Sequence, residues 1–222
     1  MGKQNVLRKY QLTDADLIVK GKEKIRFMRR DKTAFAKFGI TEIMIAELET
    51  ALTAFGNSIT DIEAKSDQTA VTKTKNEKGE ELRTAIREVM KRVELVFGVN
   101  SARYRLFCTS GISKKNDSDL MITAKVVAHA GKRYLEELIE TGITAAKLDA
   151  IIALSIDFEE LVHRQHDKIW ERSFLKENRI EQGNSIYEVL TRYTAVGFAI
   201  WETSSVAKYN DYIIYNRASR AL

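Results

Sequence analysis

The 222 residues contain no proline, one cysteine, three histidines and only 11 glycines. Proline is excluded from helix interiors and common in turns, so its absence argues against a turn-rich β fold and for long helices. A lone Cys108 excludes an intramolecular disulfide framework, and no Cys/His pattern has zinc-site spacing. No apolar run approaches the roughly 18 residues of a membrane span. One of the longest, Ala195 to Trp201, is far shorter. The polar start, Met1 to Tyr10, has no secretory apolar core, so a cytoplasmic protein without a membrane span is expected. Also missing are a Gly-x-Gly-x-x-Gly, a P-loop and a paired-carboxylate signature.

What is present is 44% apolar and 30% charged residues with a formal charge of +5, enough for a sizeable core. The length fits one helical domain, taken as 1–222. Within it the punctuation recurs. Thr13-Asp14-Ala15-Asp16-Leu17 is echoed by Asn116-Asp117-Ser118-Asp119-Leu120 at an offset of 103, and Gly39-Ile40-Thr41 by Gly142-Ile143-Thr144 at the same offset. Glu77-Lys78-Gly79 matches Glu181-Gln182-Gly183 at 104, and Ala102-Arg103-Tyr104 matches Ala207-Lys208-Tyr209 at 105. Residues 13–107 and 116–212 thus read as tandem copies of a three-helix unit, joined by a linker at 108–115 and followed by a tail at 205–222. The expected fold is an all-α helical bundle of two such repeats with pseudo-two-fold symmetry.

The Gly-Ile-Thr triplet has a physical meaning. Glycine suits the left-handed position after a helix, isoleucine folds back on the helix just ended, and threonine caps the next. Thr13 and Asn116 read as N-caps, with acidic residues in the first turn. First helices are expected at about 14–37 and 117–140, and second helices starting near 42 and 145. Third helices carry Leu82, Ile86, Val89 and Val93 in copy one, and Ile186, Leu190, Tyr193 and Trp201 in copy two. Ser58-Ile59-Thr60-Asp61 resembles an N-cap, but copy two has Glu159-Glu160-Leu161 at the matching place. A turn is therefore placed near 64–67 and near 167–170 in both copies. The segment Tyr209 to Tyr215 is aromatic and β-branched, which predicts an extended tail.

With Trp201 and the closing Ala207-Lys208-Tyr209-Asn210-Asp211-Tyr212, the chain resembles a family of uncharacterised bacterial all-helical proteins of similar length ending in an Ala-(Lys/Arg)-Tyr-Asn-Asp-Tyr block. The resemblance implies the fold and no catalytic or binding residues.

Glu160, His163 and Asp167, with His166 beside them, share a helix face in an E-x-x-H step of the di-metal type. The matching positions Asn57 and Thr60 supply no second motif and His129 has no E-x-x partner, so a solvated face is the better account. Cys108 has no neighbouring base to make it a nucleophile. Residues 1–40 hold 11 Lys/Arg against four acidic residues, and Lys22, Arg26, Arg29, Arg30 and Lys37 fall opposite the apolar stripe of the first helix. That ridge is the candidate contact for an anion or nucleic-acid phosphate. The expected protein is non-enzymatic, without cofactor, catalytic or metal site. It works through protein–protein contact or self-association, with nucleic-acid binding through the ridge as the alternative.

Overall fold

The computed structural model describes residues 6–215, and among them every regular element is helical. In chain order these are α1 (Asp14–Arg30), α2 (Lys32–Ala36), α3 (Glu42–Asn57), α4 (Asp61–Phe97), α5 (Ala102–Arg105), α6 (Asp117–Arg133), α7 (Leu135–Leu138), α8 (Ala145–Trp201) and α9 (Val206–Asp211). Single 3-10 turns lie at Ile112–Lys114 and Ile139–Thr141. No helix among the described residues is long and apolar enough to cross a membrane.

The caps sit where the side-chain chemistry puts them. Thr13 accepts from the backbone N–H of Asp16 at 3.0 Å and Asn116 from that of Asp119 at 2.8 Å, each satisfying a donor that the helix start leaves open. Thr41 and Thr144 do the same for Met44 and Lys147 at 3.3 and 3.2 Å. Gly39 and Gly142 both take φ +79°, where a side chain would be strained. The N–H of Ile40 reaches back to the Phe35 carbonyl at 3.2 Å, and both side chains are buried in one core.

The chain divides into two compact units, Met1–Asp61 with Ser173–Leu222, and Ile62–Arg172. In the first, Leu17 and Ile25 of α1 and Leu48 and Phe55 of α3 close on Ile186 and Leu190 of α8 and on Tyr212 after α9. In the second, Leu120 and Val127 of α6 and Ile151 and Phe158 of α8 close on Leu82, Ile86 and Val93 of α4 and on Phe107 after α5. Each unit therefore draws on both halves of the chain: α1 and α3 pack with the later part of α8 in the first, and α6 and the earlier part of α8 pack with α4 in the second. Each buried Leu or Ile is worth about 1.5–3 kcal/mol of transfer free energy.

In each unit the close approach of the first two helices sets a glycine against a leucine. A methyl group at Gly21 would lie 2.7 Å from Leu52 Cδ1, and one at Gly131 would lie 2.6 Å from Leu148 Cδ2. The glycines occupy different levels of α1 and α6, so the cores reach close packing by different means.

Three expectations are corrected. No turn occurs near 64–67: the break falls at 58–60, where Ser58 is extended (φ −72°, ψ 149°) and its Oγ donates to the Phe55 carbonyl at 2.9 Å. No break occurs near 167–170 either, because α8 runs unbroken for 57 residues and supplies both units. Gly56, Ser58 and Thr60 weaken the helix at the first junction, whereas Glu159 to Asp167 contain no comparable breaker. The tail is not extended over 206–211 but forms α9, capped by Ser205, which accepts from Lys208 N–H at 3.4 Å. Tertiary contacts override the strand propensity there. Residues 216–222 of the predicted tail lie outside the described residues.

Candidate functional site

A polar cluster lies where α1 meets α9. Asp31, at the C-cap of α1, is only 6% exposed. Its carboxylate accepts from Arg30 Nη2 at 2.7 Å, Lys208 Nζ at 2.9 Å and Tyr212 Oη at 2.9 Å. Arg30 also reaches Asp211 at 2.8 Å, and the Lys208 ammonium stands 3.9 Å from the centre of the Trp201 ring. The Tyr212 ring packs on Phe35 at 5.5 Å and fills the space left by Gly197, where a methyl group would come within 2.4 Å of it. Burial by itself would raise the Asp31 carboxyl, but hydrogen bonds from Arg30, Lys208 and Tyr212 prevail and hold it at about 2. Burial, reinforced by the bond to Asp31, pushes the Tyr212 hydroxyl well above the usual tyrosine range. The acceptor is saturated with charged and hydroxyl donors, an arrangement that locks a short helix in place.

A second cluster lies at the other end of α1. Arg179 of α8 binds Asp14 at 2.7 Å and donates to the carbonyls of Phe55 and Ser58 at 3.1 and 3.2 Å, closing the C-terminus of α3. Tyr10 donates to Asp14 at 2.8 Å and Arg8 pairs with it at 2.9 Å. Burial and the Asp14 bond push the Tyr10 hydroxyl up to about 12. Asn184 holds the leading segment by its backbone, accepting from Lys9 N–H at 2.7 Å and donating to the Leu7 carbonyl at 2.8 Å. In the second unit Lys75, 8% exposed, binds Asp117 at 2.6 Å, and Arg83 donates to the carbonyls of Ile112 and Lys115.

The structure splits the basic ridge. Arg29 is engaged by Glu42 and Glu49, both at 2.8 Å, and those hydrogen bonds raise its already high pKa. Arg30 is committed to Asp31 and Asp211. Lys22, Arg26 and Lys37 are exposed and form no ion pair among the described residues. Lys24 is buried, its ammonium 5.5 Å from the Phe27 ring centre. Glu160, His163, His166 and Asp167 are all exposed on α8, and no group of three or more His, Cys, Asp or Glu among the described residues is arranged to hold a metal ion. Cys108 is exposed and takes φ +52°.

A groove of about 450 Å³ in the first unit is lined by Tyr187, Thr191, Thr194, Phe198 and Tyr209 and by Ile213 to Tyr215. The hydroxyls of Thr191 and Thr194 donate to the carbonyls of Tyr187 and Leu190, leaving its threonine wall without a free donor. Compared with known proteins, the chain matches no family model, no curated protein and no solved structure.

Sequence reasoning missed Asp31, Arg179 and Asn184, whose roles depend on partners more than a hundred positions away. Only the Lys-Tyr-Asn-Asp-Tyr block gave a usable signal, since Lys208, Asp211 and Tyr212 all bear on the corner after α1.

Proposed function

We propose that the protein is non-enzymatic and works through protein–protein contact, by self-association in particular. One observation carries this reading. Phe38 and Ile43, 55% and 72% exposed, bracket the Gly39 corner, while the buried carboxylate of Asp31 before it is spent on Arg30, Lys208 and Tyr212. Apolar side chains grouped on a surface favour burial against another protein. The test is light scattering with mass determination over a wide concentration range. A mean mass that climbs above the monomer with concentration is expected, and a constant monomer mass at the highest concentrations contradicts the reading.

We also infer that the chain arose as two tandem three-helix repeats with pseudo-two-fold correspondence. Support comes from Thr13 and Asn116 as caps, from Gly39 and Gly142 at one φ, and from the ion pairs Arg179–Asp14 in one unit and Lys75–Asp117 in the other, at matching positions of the repeat.

Nucleic-acid binding through the ridge is the second reading, favoured by the exposed Lys22, Arg26 and Lys37, which form no ion pair among the described residues. It predicts salt-sensitive retention on DNA or RNA that Lys22→Glu with Arg26→Glu abolishes.

A further inference from the structure

Each unit contains one short helix, α9 in the first and α5 in the second, and the two are anchored by different chemistry. The α9 segment hangs on the buried Asp31 carboxylate, to which Lys208 and Tyr212 both donate at 2.9 Å. Arg30 divides itself between Asp31 at 2.7 Å and Asp211 at 2.8 Å. The charged and titratable groups facing Asp31 are thus Arg30 from α1 and Lys208 and Tyr212 from the α9 segment. From α8 comes only the uncharged Trp201 ring, 3.9 Å from the Lys208 ammonium. In contrast, α5 hangs on no buried carboxylate among the described residues. The Arg103 guanidinium lies 5.4 and 5.6 Å from the ring centres of Phe97 and Tyr134, those rings meet edge to face at 5.5 Å, and Phe107 is fully buried. Arg103 also pairs with Glu137, but both side chains are about half exposed, and such a pair contributes little. The sequence offsets of 103 and 105 match Tyr134 to Asp31 and Phe107 to Tyr212, so the second unit carries two rings where the first carries an acid and a hydroxyl.

We propose that the 205–212 strap is an acid-released latch, opened when Asp31 takes up a proton while α5 stays closed. A neutral Asp31 leaves the cations around it without their shared counter-charge. Arg30 keeps Asp211, whereas Lys208 keeps only the Trp201 ring, so hydration of the ammonium favours the open strap. Opening lifts the Tyr212 ring off Phe35 and Gly197 and uncovers apolar surface that the closed strap hides. The direction follows from the titration of Asp31, about 2 in the folded chain against an ordinary 3.8. Closure is favoured in full above the ordinary value and loses that favour as the pH falls towards 2. In the limit the opening equilibrium moves by up to roughly 60-fold, with half of that reached at the folded-state value. The second unit has no matching group to titrate, so its short helix does not respond. The latch works within a single molecule and is independent of self-association.

The experiment is native-state amide hydrogen exchange of the full-length protein, read by NMR as protection factors between pH 6 and pH 2. The reporters are the amides of Tyr209 and Tyr212 in the strap, bonded to the carbonyls of Ser205 and Tyr209, and those of Leu106 and Phe107, bonded to Arg103 and Tyr104. Expected is a fall of at least about tenfold in the strap between pH 6 and pH 2, with Leu106 and Phe107 unchanged. Asp31→Asn, which removes the charge and nearly keeps the shape, should show the lowered strap protection already at pH 6 and no further fall with acid. Strap protection that holds to pH 2 overturns the latch, and so does a parallel loss at all four amides. Wild-type protection of the strap in Asp31→Asn at pH 6 also overturns it. Should that variant not fold, the wild-type titration alone decides.

Discussion

Tyr212 donates its hydroxyl to the carboxylate of Asp31 at 2.9 Å, across 181 positions of chain. The bond ties the segment after α9 to the corner that ends α1, and Lys208 and Arg30 complete the acceptor's shell. A buried carboxylate with three donors stabilises the fold only while it is ionised.

The pH dependence follows from the depressed value of Asp31, about 2 in the folded chain against an ordinary 3.8. Its contribution is complete above the unfolded value and is lost as the pH falls from about 4 towards 2. At about 1.4 kcal/mol per pH unit, the ionised group is worth about 2 kcal/mol. Asp31→Asn should therefore cost at least about 2 kcal/mol in urea unfolding at pH 7, and the gap to wild type should narrow below pH 4. A gap that stays the same down to pH 2 contradicts the latch.

Replacing Gly21 or Gly131 by alanine gains about 1 kcal/mol of helix propensity. The new methyl group must nevertheless occupy space that Leu52 or Leu148 already fills. Overpacking of this kind costs about 1–3 kcal/mol. Both variants should be destabilised by denaturant unfolding, and pairing Gly21→Ala with Leu52→Val should recover part of the loss. Stabilisation by Gly21→Ala alone would show that the helices are not in contact at that level.

Ser155, fully buried on α8, has a hydroxyl with no hydrogen-bond partner among the described residues. Leaving such a group unmade costs about 1–3 kcal/mol. Ser155→Ala should raise the midpoint of thermal unfolding by a few degrees. A lower midpoint would show that the hydroxyl is satisfied after all.

Local signals were readable wherever a single turn of chain decides the outcome. The caps Thr13, Thr41, Asn116 and Thr144 and the left-handed Gly39 and Gly142 depend on their own neighbours, and they appear where the spacing puts them. The end of α3 depends instead on Arg179, a residue of α8, which takes the carbonyls of Phe55 and Ser58, so no window around 58 contains the reason for the break. The same holds for the basic ridge: Arg29 and Arg30 look free on a helical wheel and are spent on Glu42, Glu49, Asp31 and Asp211. The partition of third helices was invisible for a related reason. Ile86 and Leu190 have the same apolar spacing, and periodicity says which face is buried but not against which half of the chain.

That partition is tested most directly by zero-length carbodiimide cross-linking of the monomer fraction, read by peptide mass spectrometry. Lys75 binds Asp117 at 2.6 Å in this fold, whereas halves closed on their own third helices would set Lys75 beside Asp14. The account predicts an intramolecular Lys75–Asp117 amide together with Lys208–Asp31. A Lys75–Asp14 link in its place would contradict it.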